Sequence, residues 1–244
     1  MKTKSENFIS CLASHYKQPI ADLIDRLVKV ELPDSPDSPR APEVDYAISL
    51  IVLLVLVFEA WMSRARHFDS APAQDIKAKQ SVLPWMKSLK DGRLQPTIES
   101  LQEVYFLRDA IVHNHVWVYT QTWLDGKAYY SNFNLDRSWQ GNSHFKRDVK
   151  GEMPFSALPR TKRLNLVVVP SFVSRREVAT VFKTIKDALK TLDEFGLVTN
   201  IPKIPYVRFG GKLSFPFWNL IPVIQKSFLV TPNRCNSRKA LCSR

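Results

Sequence analysis

Arg108 and His113 stand five positions apart in the segment Arg108-Asp109-Ala110-Ile111-Val112-His113. This pair of side-chain types can cleave a phosphodiester without a metal. A guanidinium is permanently charged and grips a phosphate through a fork of N–H donors, stabilising charge on a pentacoordinate phosphorus. An imidazole changes protonation near neutrality, so it can take the proton of an attacking 2′-hydroxyl or give one to a leaving oxygen. Asp109, directly after the arginine, and His115, just beyond His113, extend the polar cluster.

Spacing alone does not single out this pair, because Arg137 and His144 make a similar match in a Gly/Asn/Ser-containing stretch. Context does. Arg108 falls on the apolar stripe of a helix expected to start at Pro96-Thr97, with Thr97 as its N-cap and Ile98, Leu101, Val104, Tyr105, Ile111 and Val112 at helical spacing. An arginine in that position is costly unless it is paired or used. From Arg108 to His113 the helix turns by roughly 140°, so two copies meeting across an interface supply both groups to one phosphate more easily than one copy does. The structural alternative is an ion pair of Arg108 with Glu103 or Asp109, beside a hydrogen-bonded histidine at a helix end. His113 and His115 also form an HxH pair, but no third ligand accompanies them, and neither a metal nor another cofactor is expected.

The elements that must position this cluster are mostly helical. Residues 7–32 read as an amphipathic helix interrupted near Pro19, followed by Pro33, Pro36, Pro39 and Pro42 in an extended linker. A long apolar helix starts near Pro42–Asp45 and runs through Trp61 to about Arg66. Its apolar run, bracketed by Asp45 and Glu59, is read as a core helix rather than a bilayer span. A further helix is expected over Gln74–Leu89. After His115, β-branched and aromatic residues up to Leu124, then Asp125-Gly126, predict a strand pair or an irregular, polar and basic insert over 117–160. Ser174-Arg175-Arg176-Glu177 is a capping box opening a helix to Phe195, with Gly196 as its stop. Beyond it, prolines and Gly210-Gly211 suggest an irregular tail whose apolar patch Phe215–Leu220 docks on the domain or on a partner.

Arg108, Asp109 and His113, with His115 also in range, resemble the Arg-x4–6-His motif of HEPN domains, in which a polar residue follows the arginine. The order of elements is similar as well: an apolar helix with a late acid (Glu59), the motif helix, and a final helix after the short apolar run Leu164–Val169. The resemblance spans about residues 44–195. It implies an all-helical, HEPN-like bundle, from which the strand-like stretch Val116–Arg163 departs. The expected fold is therefore mainly α, a HEPN-like helical bundle with a β-hairpin insert. Residues 1–43, an N-terminal helix and linker, and residues 196–244, a basic tail, lie outside the resemblance. The resemblance also implies a homodimer with both motifs facing one cleft. Such a dimer is a metal-independent endoribonuclease that leaves a cyclic phosphate and a 5′-hydroxyl. Proteins of this kind often serve as toxins or in phage defence, which makes an antitoxin or other regulatory protein a further expected partner. Arg108, His113 and Asp109 would carry the chemistry, supported by His115 and Glu59.

Charge points to a polyanion as the other partner. The chain carries a formal net charge of +12. No acid follows Glu194, so eight basic residues give the tail +8, and 27 basic minus 23 acidic residues leave +4 for the rest. Lys146, Arg147, Lys150, Arg160, Lys162, Arg163, Arg175 and Arg176 form a candidate RNA-binding set, near aromatic residues able to stack bases. The same fold could use that surface as a non-catalytic RNA- or protein-binding module. No Rossmann or P-loop glycine pattern, GxSxG elbow or HExxH helix occurs. The three scattered cysteines and the polar N-terminus fit a cytoplasmic protein that does not enter a membrane.

Overall fold

Apolar stripes at helical spacing fold as helices here, and short polar or glycine-containing stretches mark their ends. The computed structural model describes residues 12–32, 40–68, 82–113, 117–124, 127–135, 158–196 and 205–229. Its helices are α1 (Ala13–Leu27), α2 (Ala41–Phe68), α3 (Val82–Ser88), α4 (Gln95–Val112), α5 (Arg175–Glu194) and α6 (Leu220–Leu229). Two antiparallel strand pairs complete it: β1 (Trp117–Leu124) with β2 (Lys127–Leu135), and β3 (Tyr206–Phe209) with β4 (Lys212–Pro216). The fold is mainly α, a helical bundle carrying small hairpins.

α2 organises the core. It runs 28 residues, about 42 Å of helix. Leu50, Leu54, Phe58 and Trp61 are buried, and the helix packs against α1, α4 and α5. Its ends lie close to the expected start at Pro42–Asp45 and the expected end near Arg66, and the helix passes through both Asp45 and Glu59, which bracket its apolar run. Within Ala41–Ala65 an 18-residue window has a mean hydropathy of 2.1, so the helix is long and apolar enough to cross a membrane by length and composition, and half of that window is buried inside the fold.

Local signals set most element ends. In α5, Ser174 Oγ accepts from the amide of Arg176, and the Glu177 carboxylate accepts from both the amide and the hydroxyl of Ser174. The chain leaves α5 through Gly196 at φ +70°, a conformation glycine adopts freely. Leu124 pairs with Lys127 across the Asp125-Gly126 step, as a two-residue hairpin requires.

Three expectations need correction. α1 continues through Pro19. The proline sits on the exposed face, where water can satisfy the freed carbonyl, while Ile20, Ala21, Ile24 and Leu27 bury the other face. α4 starts at Gln95 rather than being capped by Thr97. Asp91 caps a preceding 3-10 turn, Gly92–Leu94, by accepting from the Arg93 amide, so the chain enters α4 already helical. The hydrogen bonds from Arg93 also hold the Asp91 carboxyl below the usual aspartate range.

The third correction concerns the tail, which is ordered over residues 205–229. Gly210 and Gly211, at φ +55° and +79°, make the two-residue turn of the β3–β4 hairpin. The Gln18 side chain donates to the Arg208 carbonyl and accepts from the Arg208 amide, so α1 satisfies one edge of β3. Phe217, Leu220 and Ile224 are fully buried, and the ring of Trp218 lies 5.5 Å from Trp61 and 5.6 Å from Phe182. The apolar patch therefore docks on the chain's own domain. One hydrophobic cluster draws residues from α1, from α2 to α5 and from α6, so all three expected segments share a core. The linker prolines Pro33, Pro36 and Pro39, residues 74–81 and the end of the tail beyond 229 lie outside the described residues.

Candidate functional site

Arg108 projects from the last turns of α4 toward the late part of α2. Its NH2 donates to Glu59 Oε1 at 3.2 Å, and its NH1 lies 3.1 Å from Asp109 Oδ1. The guanidinium carbon is 5.3 Å from the centre of the Tyr105 ring, so the arginine is also held over an aromatic face. Its Nε is buried and has no hydrogen-bond partner among the described residues. The side chain keeps a quarter of its surface exposed, against 31% for Glu59 and 36% for Asp109. Two carboxylates thus orient a cation that is only partly withdrawn from the surface.

Glu59, expected only as a supporting residue, is therefore a direct partner of Arg108. Glu103 is not: it points to the other side of α4. His113 is the C-cap residue of α4, exposed, and its amide donates to the Asp109 carbonyl at 2.9 Å. Leu56 and Val112, 38% and 49% exposed, flank the cluster one turn from Glu59 and Arg108 respectively. His115 lies outside the described residues. Among those described, no group of three or more His, Cys, Asp or Glu could hold a metal ion.

The expected RNA-binding set divides. Arg175 must be removed from it. Its side chain is 3% exposed, its Nε donates to Glu43 Oε1 at 2.8 Å, and its NH2 donates to the Val30 carbonyl at 3.0 Å. A charge so enclosed ties α5 to α2 and to the end of α1; it cannot meet a phosphate. Arg160, 12% exposed, donates to the Asn165 carbonyl and to Glu177, which also makes it largely structural. Lys162 and Arg176 are exposed, and Arg163 is half-exposed with Glu99 as its partner at 2.8 Å. Lys146, Arg147 and Lys150 lie outside the described residues.

Two buried acids brace the helices: Glu103, expected only as an ion-pair candidate for Arg108, and Glu43, which was not singled out from the sequence. Glu103, 3% exposed, accepts from the amides of Arg163 and Leu164, each at 2.7 Å, and so clamps the loop before α5 onto the motif helix. Glu43 does the corresponding work for Arg175. The available signal is an acid inside an apolar helical stripe, as Glu103 is between Leu101 and Val104, since a buried carboxylate requires donors. Its donors, about 60 positions away, are not readable from that stripe.

The assembled geometry is a partly exposed arginine fixed by two carboxylates, with an imidazole at the end of the same helix and apolar residues on either side. It suits anion binding next to a proton-transfer group, and equally suits a tie between helices. No protein-family model, no curated protein and no solved structure matches this chain.

Proposed function

We propose that the chain is a metal-independent endoribonuclease acting as a homodimer, with Arg108 and His113 of two copies facing one cleft. The observation that carries this reading is the state of Arg108. It is anchored by Glu59, Asp109 and the Tyr105 ring, yet a quarter of its side chain stays exposed, and an exposed histidine ends the same helix five residues on. Exposed Leu56 and Val112 give that face the apolar character a second copy would cover. The resemblance of Arg108-Asp109-x3-His113 to the HEPN motif supports the same reading.

In this mechanism the 2′-oxygen bonds to phosphorus while the bond from phosphorus to the 5′-oxygen breaks. His113 of one copy takes the 2′ proton, a proton reaches the leaving 5′-oxygen from His113 of the second copy or from water, and Arg108 stabilises charge on the equatorial oxygens. The products carry a 2′,3′-cyclic phosphate and a 5′-hydroxyl. A role as toxin or phage-defence effector, held in check by a regulatory protein, belongs to the same proposal.

The test is incubation of labelled RNA in EDTA with wild type, Arg108→Ala and His113→Ala. Wild type should cut, and each variant should lose about 100-fold or more in rate. Intact RNA with wild type, or cutting by both variants at the wild-type rate, overturns the proposal. Binding without cutting would assign the fold to a non-catalytic module instead.

A further inference from the structure

Between α4 and α5 a cleft of about 340 Å³ opens to the surface, a size that suits a small ligand. Helical spacing brings two pairs of hydroxyls to its walls. Thr97 and Ser100 line it from α4, and Thr180 and Thr184 line it from α5. All four residues are partly buried, neither packed into the core nor free in solvent. Leu164, Ala179 and Ala188 add apolar surface, and Gln225 of α6 adds an amide. Glu103 of α4 holds the backbone amides of Arg163 and Leu164, which also line the cleft, so its walls are fixed without a ligand.

Three of these hydroxyls already donate within their own helices. Ser100 donates to the Pro96 carbonyl at 2.9 Å, Thr180 to that of Arg176 at 3.0 Å, and Thr184 to that of Thr180 at 2.9 Å. Each keeps only oxygen lone pairs for a ligand, which must therefore bring O–H or N–H donors. Charge narrows the choice further. Arg163 is paired with Glu99 and Lys183 with Asp187, so the two cations are matched by two acids and an anion gains little there. None of the large apolar side chains exposed among the described residues lines the cleft, so it lacks the anchors of a protein interface. We infer that this cleft binds a small neutral polyol, whose hydroxyls donate to Ser100, Thr180 and Thr184 while its C–H face rests on Leu164, Ala179 and Ala188. A free sugar and the ribose of a nucleoside share that chemistry. The inference does not depend on the ribonuclease reading, since Arg108 lies eight residues, about 12 Å, beyond Ser100 along α4.

The test titrates the isotope-labelled full chain with ribose, glucose, uridine and glycine, following backbone amide signals by NMR. At least one polyol should give saturable shifts confined to residues 97–100, 163–164 and 180–188. A Kd of about 0.1–10 mM is expected, as a ligand of roughly ten heavy atoms gains at ordinary efficiency. Response to ribose or glucose without uridine identifies a free sugar, and response to uridine alone identifies a nucleoside. The double variant Thr180→Val, Thr184→Val keeps both side-chain shapes and removes both acceptor oxygens. It should bind roughly 5- to 100-fold more weakly, with a melt close to that of wild type. Thr191→Val, the same change on α5 outside the cleft, should bind as wild type does. A cleft that holds only water gives no saturable shift with any polyol, and that result overturns the inference. So do shifts centred elsewhere on the chain, a double variant that binds like wild type, or glycine binding more tightly than every polyol, which would assign the cleft to a zwitterion held by its charged pairs.

Discussion

Replacing Glu59 by Gln should move stability and RNA affinity in opposite directions. Unit charges 3.2 Å apart attract by about 1.3 kcal/mol at the dielectric of water and about 5 kcal/mol at an effective value near 20. The Glu59–Arg108 contact is single-pronged and about a quarter to a third exposed, and Asp109 already holds the other terminal nitrogen of the arginine. Those facts place its net worth near the exposed-pair range, at about 0.5–1 kcal/mol. Glu59→Gln should therefore lower Tm by roughly 2–4 °C at most. For RNA the sign reverses. A phosphate resting on Arg108 would lie about 5 Å from the Glu59 carboxylate, where two negative charges repel by roughly 0.8 kcal/mol in water, or about fourfold in Kd. Circular-dichroism melts and anisotropy with an uncleavable RNA oligonucleotide at one fixed salt concentration measure the two effects. If Tm falls while Kd stays put, the pair is a tie between α2 and α4 and nothing more, and the reasoning fails.

The supporting structure gives three further expectations. Arg175→Met leaves the Glu43 carboxylate buried without its partner and should cost about 3–5 kcal/mol in urea unfolding, with unchanged RNA affinity in the molecules that remain folded. Glu103→Ala strands the amides of Arg163 and Leu164, which should cost about 2–4 kcal/mol and speed hydrogen exchange at those two amides before the rest of the chain. Phe217→Ala opens a cavity between α5 and the tail and should cost about 3–5 kcal/mol; truncation after Phe195 should be worse still, giving a chain that melts without a cooperative transition.

What was legible in the sequence was local. The capping box at Ser174, the stop at Gly196 and the hairpin across Asp125-Gly126 each depend on residues within one turn of one another. Gly210-Gly211 carried the same kind of signal, but the surrounding prolines made the region read as irregular. Among the described residues, Pro205 and Pro216 sit at strand ends and Pro222 in the first turn of α6, where no backbone donor is lost to the fold. The site was half legible. Arg108 on an apolar stripe pointed to a partnered or functional arginine, and Asp109 beside it is one of the partners. The pairing with Glu59 joins residues 49 positions apart, and that of Arg175 with Glu43 joins residues 132 apart. Nothing periodic marks such pairs. Reading Arg175 as an RNA contact failed for this reason: its place in a basic cluster was visible, and the acid that encloses it was not.

The most direct test of the ribonuclease reading is the chemistry of the RNA ends left after incubation in EDTA, determined by mass spectrometry. Wild type should leave 2′,3′-cyclic phosphates and 5′-hydroxyls, and Arg108→Ala should leave the RNA whole. Intact RNA with wild type, or fragments ending in 3′-hydroxyls and 5′-phosphates, would contradict a metal-free Arg108–His113 centre.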